Sequence, residues 1–170
     1  MAVKAGRKRR PTVAALSPRE SHSGPVTLMG QILRGLALRL PEERERARLK
    51  MHEPGGSVDS MPVIDAAFEL AVRRRFAPGT DLREIASFVA DVRVGFGPTI
   101  DVLAMEALIR RALGEETHID DLGAKTVIEL KCATLVAVHD VLSWSDADTD
   151  QLLAEAEALV RAKGFSPAVG

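Results

Sequence analysis

The chain is poor in the residues that small folds use as staples. Cys132 is its one cysteine, so no intramolecular disulfide and no cysteine-rich zinc module can form within it. A lone thiol suits a reducing compartment, and a cytoplasmic location is expected. Tyrosine is absent, tryptophan occurs once, and aromatics make up 4% of the residues. The core must therefore rest on Ala, Leu, Val and Ile, which favours closely apposed helices over a β-sandwich. No apolar run approaches the ~20 residues of a membrane-spanning helix. The basic start "MAVKAGRKRRPTVAALSPRES" lacks the apolar stretch that an export signal needs after its positive flank. HExxH, Walker, GxGxxG and GxSxG patterns are also missing, so no familiar catalytic or cofactor motif is present and no cofactor is expected.

What is present is enough for one domain of ordinary size with a tail: 170 residues, 46% of them apolar. The net charge of −1 hides an asymmetry. Residues 1–60 hold twelve Lys/Arg against six Asp/Glu, a net +6, whereas 61–170 hold eleven against eighteen, a net −7. Residues 1–25, with Lys4, Arg7, Lys8, Arg9 and Arg10 among Ser, Pro and Gly, have no apolar period and read as a disordered basic tail. In 26–51, Leu28, Ile32, Leu36 and Leu40 recur every four residues as one stripe of an amphipathic helix. Pro41 then restarts the helix, with Glu42, Glu43 and Glu45 near its positive end. "HEPGGS" at 52–57 reads as a linker.

From 58 to 170 the periodicity predicts an all-α bundle of about five helices, ending near residue 163. Ile64, Ala67, Phe68, Ala71 and Val72 share one face. Asp81 and Glu84 form a capping box for a helix burying Leu82, Ile85, Val89 and Val92, which "GFGP" at 95–98 stops. A further helix runs through Leu103 and Leu108 to Gly114. The stretch 123–143, "GAKTVIELKCATLVAVHDVLS", is apolar on nearly all sides. Its length favours a buried helix, although the alternation at 128–132 leaves a strand open at its start. Leu152, Leu153, Ala156, Leu159 and Val160 mark the last helix, stopped at Gly164. Residues 68–85 also overlay 105–122 at an offset of 37, pairing Glu69/Glu106, Arg73/Arg110 and Thr80/Thr117. That pattern fits two copies of a helix–loop–capped-helix unit or two amphipathic helices that merely look alike.

The acidic stretch "SWSDADTDQLLAEAE" (143–157) admits two readings. Asp146, Asp148, Asp150 and Glu157 stand at positions 1, 3, 5 and 12 of a calcium loop. Gln151, however, occupies the position that normally needs Gly. In the other reading the stretch starts a helix, with Ser145 or Asp148 as N-cap, a box between Asp148 and Gln151, and the remaining carboxylates facing the helix dipole. The second reading explains every residue.

Catalytic groupings are sparse. Cys132 and His139 lie seven residues apart, roughly 10 Å along a helix, too far to activate each other. His139 and Asp140 do not face one another on a helix, and His118 with Asp121 is a single pair. "IDDLGAKTVIEL" (119–130), preceded by "LIRRALGEE", resembles the segment around the phosphopantetheine attachment site of acyl carrier proteins. Those proteins place a serine after the Asp of an "LGxDS" turn, where this chain has Lys125 and Thr126. Carrier function therefore does not follow from the resemblance. The expected function is a non-catalytic protein-interaction module, an adaptor or subunit using apolar helix faces, with Leu28, Ile32, Leu36 and Leu40 contacting a partner or a second copy. The alternatives are a nucleic-acid-associated factor using Lys4, Arg7, Lys8, Arg9 and Arg10 on phosphates, and a small enzyme or calcium-dependent protein with an unrecognised site.

Overall fold

The computed structural model describes residues 24–119 and 121–170; Lys4 to Arg10, and all of the expected tail up to residue 23, lie outside them. The described residues form seven helices: α1 (Leu28–Ala37), α2 (Pro41–Met51), α3 (Ser60–Arg75), α4 (Leu82–Phe96), α5 (Val102–Ala112), α6 (Ala124–Val141) and α7 (Asp146–Ala162). The fold is all-α, and α3 to α7 are the five helices expected between 58 and 163. The one extended contact among the described residues is an antiparallel bridge between Thr27 and Val169. None of the helices is long and apolar enough to cross a membrane.

α3 and α6 form the centre. α3 contacts α1, α5, α6 and α7, and α6 contacts α1, α3, α4 and α5. Small residues allow this closeness: Ala67 and Ala71 of α3 and Ala156 of α7 are fully buried beside Val63, Val72 and Leu153. With so few aromatics, one edge-to-face pair, Phe76 against Phe88 at 5.3 Å, fixes α4 beside the end of α3. The stretch at 123–132 is helical from Ala124, and its first two turns are partly exposed because α6 becomes buried only from Leu130.

α1 belongs to the bundle. Leu33 is 1% exposed and lies in the same apolar cluster as Val63, Val138 and Leu153. The stretch 26–51 therefore divides at Pro41: α1 enters the core, and α2 packs chiefly against α1, with Ala47 its one buried residue. Two glycines set how closely α1 can approach. A Cβ on Gly35 would meet the backbone N of Arg44 at 2.8 Å, and one on Gly30 would strike the Glu157 carboxylate.

Helix ends follow one scheme more often than the glycines reveal. At Gly114 and Gly164 the chain turns left-handed, and the next residue's N–H returns to the last helical turn, Glu115 to Arg110 and Phe165 to Val160. The same geometry closes α1 at Arg39 (φ 55°) and α6 at Ser143 (φ 50°), with no glycine to signal it. The capping box expected at 81–84 is not formed. Asp81 accepts from Arg83 N at 2.9 Å, while Glu84 pairs with Arg75 of α3 at 2.7 Å, an ion pair that its own backbone could not offer. The 37-residue echo holds for its first helix only: Ile119 and Leu122, aligned with the first turn of α4, lie ahead of α6.

Candidate functional site

The acidic stretch is helical from Asp146, so the irregular loop that calcium requires at this spacing is not formed. Its carboxylates go to different tasks. Ser145 caps α7 and forms a capping box with Asp148, not Asp148 with Gln151: Asp148 N donates to Ser145 Oγ at 3.2 Å, and Ser145 N donates to Asp148 Oδ2 at 2.9 Å. Hydrogen bonds from Ser145 hold the Asp148 carboxyl below its usual range. Asp150 accepts from Arg34 Nε of α1 at 2.6 Å, and that bond, more than any other contact, raises the Arg34 guanidinium. Asp146 is exposed in the first turn.

Glu157 is 1% exposed and takes three donors from the start of α1: Val26 N at 3.1 Å, Thr27 N at 2.9 Å and Thr27 Oγ1 at 2.8 Å. Thr27 Oγ1 in turn accepts from Gly30 N at 2.9 Å, so one buried carboxylate anchors the N-cap of another helix. The C-terminal segment closes over this point. Leu28 N donates to Ala168 O at 2.8 Å, and Gly170 N donates to Val26 O at 2.9 Å. A glutamate in an amphipathic helix reads from sequence as solvent-facing; its burial depends on a partner 130 residues away.

The stripe Leu28, Ile32, Leu36 and Leu40 is split by the docking of α1. Leu28 is buried at 4% exposure, while Ile32, Leu36 and Leu40 remain partly exposed. The face turned inward is Leu28, Gly30, Leu33, Gly35 and Ala37, about one residue round from the expected stripe. A fixed interval of four drifts around a helix of 3.6 residues per turn, which carries the later members of the stripe off the buried face.

Leu36 instead borders an open groove. Two adjoining hollows of about 570 Å³ each share Leu36, Phe96 and Val136. The floor is α6, one wall is the corner between α1 and α2, and the other is the α4–α5 turn. Phe96 is 43% exposed there, although it continues the buried stripe of α4. Asp140 lies at one end of the groove, where Arg39 holds it through two bonds of 3.1 and 2.6 Å and keeps its carboxyl below the usual range. Lys125 and Glu129 lie at the other end, 3.8 Å apart. Cys132 also lines the groove, and burial pushes its thiol up to about 11, leaving a neutral and weakly nucleophilic group at ordinary pH.

The remaining reactive candidates do not assemble. Contrary to the expectation for neighbours on a helix, His139 Nδ1 does reach Asp140 Oδ1, at 3.1 Å. Both sit in the last turn of α6, where the side chains can swing together. The ring also packs edge-on against Trp144 at 6.4 Å. His118 and Asp121 are both exposed. Among the described residues no group of three or more His, Cys, Asp or Glu side chains is placed to hold a metal ion. A smaller cleft of about 430 Å³ contains Lys131, whose ammonium is engaged by Asp65 at 2.6 Å. No protein-family model, curated protein or solved structure matches the chain.

Proposed function

We propose that the protein is a non-catalytic interaction module, an adaptor or a subunit of a larger assembly, that binds a protein partner along the groove over α6. The observation that carries this reading is the groove's apolar centre, where Leu36, Phe96 and Val136 border both hollows and Phe96 remains 43% exposed. A side chain of that size left half in water forgoes a sizeable part of the stabilisation that burial would give, about 1 kcal/mol. Helix-in-groove recognition uses such a surface, with a partner's apolar residues seated at helical spacing. The neutral thiol of Cys132 fits a floor that serves for contact and is compatible with a cytoplasmic setting.

The test is affinity capture with the full-length protein and two groove variants, Phe96→Asp and Leu36→Asp, each first shown to be folded by circular dichroism. A protein retained by the wild type and lost with both variants supports the reading. A partner held equally by all three would place binding elsewhere, and its loss on deletion of residues 1–23 would move the function to the basic arm.

A further inference from the structure

We infer that the groove takes an amphipathic helix whose apolar stripe is flanked by acidic residues at the end that meets Arg39 and Arg44, an inference that rests on the groove being a docking site. Its length supports a helix. The lining residues of α6 run from Lys125 to Asp140, a span of roughly 22 Å at 1.5 Å per residue, or about four turns of a partner. The apolar residues lie midway, and the charged ones lie at the two ends.

The charges select the flanks. At one end Arg39 is already committed to Asp140, while the exposed Arg44 side chain on the same wall makes no ion pair or hydrogen bond among the described residues. Its sequence neighbour Glu45 is engaged by Arg48 at 2.7 Å. At the other end Lys125 and Glu129 face each other at 3.8 Å with both side chains exposed, so that end carries no net charge. One cation, Arg44, is therefore left over in the groove, and it lies at the Asp140 end. The chain's own segment "TVAAL" (12–16) is apolar but is bracketed by Arg7 to Arg10 and by Arg19, like charges to Arg44. It is a poor occupant for that reason.

The experiment is a displayed library of helices of about sixteen residues with a fixed leucine stripe and flanks randomised among Glu, Lys, Gln and Ser. It is selected on the full-length protein and counter-selected on folded Phe96→Asp. Enrichment of Glu at the end that meets Arg44 is expected, changing Kd roughly two- to fivefold, with no charge preference at the Lys125 end and with Arg44→Glu reversing the preference at its own end. Enrichment that depends on Phe96 but shows neutral or basic residues at the Arg44 end would overturn the charge inference and leave the docking reading standing. No enrichment that depends on Phe96 would overturn both. A purified dimer that Phe96→Asp converts to monomer would make a second copy the occupant and defeat the acidic-helix inference.

Discussion

The two sides of α1 meet the rest of the molecule on different terms. Toward α7 its polar groups are closed off by the chain itself: Glu157 takes Val26 and Thr27, Asp150 takes Arg34, and the C-terminal segment crosses over the junction. Toward α6 and α4, Leu36 borders an apolar hollow that nothing among the described residues fills. The acidic stretch, the most ligand-like feature in the sequence, lies on the closed side. The open side is marked by partly exposed apolar side chains that carry no motif. Conspicuous charge here holds the fold together, and the surface proposed for a partner is apolar and inconspicuous.

Several experiments sharpen or break that contrast. The largest effect concerns Cys132 on the groove floor. With its thiol raised to about 11, alkylation at pH 8 should run roughly a hundredfold slower than for an ordinary cysteine and keep rising through pH 9–10. Iodoacetamide labelling followed by intact mass measures this, and a rate that levels off near pH 9 would mean the floor is wet. On the closed side, Leu33→Ala should cost about 3 kcal/mol in denaturant unfolding, because the side chain is 1% exposed inside the shared cluster. Leu49→Ala on α2, at 56% exposure, should cost well under 1 kcal/mol. Equal costs would show that α1 is no more part of the core than α2.

Glu157→Gln keeps the side chain's shape but replaces one accepting oxygen with an NH2 group facing backbone donors. A loss of about 2 kcal/mol is expected from the denaturant midpoint. A neutral result would mean that the clasp at Thr27 contributes little. The smallest effect belongs to Asp148→Ala, which removes an exposed capping box and should lower Tm slightly at pH 7. The folded-state carboxyl of Asp148 is depressed, so its contribution is present above the ordinary Asp range and disappears as pH falls through the depressed value. The wild-type and variant Tm values should therefore converge on acidification.

The helices were legible in the sequence because apolar period, proline and glycine act locally. Pro41, "GFGP" and Gly164 all stand where elements begin or end. The ends at Arg39 and Ser143 were hidden because a left-handed residue without glycine leaves no local mark. Arg39 keeps that conformation while its guanidinium holds Asp140, a bond across 101 residues that no local pattern contains. The start of α7 was readable as a helix, but the destinations of Asp150 and Glu157 were not, since each depends on where α1 docks. The groove was least legible of all. Leu36 and Phe96 follow the same periods as core residues, and only the arrangement of three separate elements leaves them partly exposed.

Phe96→Asp, measured for both unfolding and capture of the selected helices, tests the contrast between the closed and open sides most directly. The prediction is a stability loss of about 1 kcal/mol or less, smaller than that of Glu157→Gln, together with at least a roughly tenfold loss of helix binding. Helix binding that survives the substitution, or a stability loss as large as that of Leu33→Ala, would show that Phe96 belongs to the core and would contradict the account.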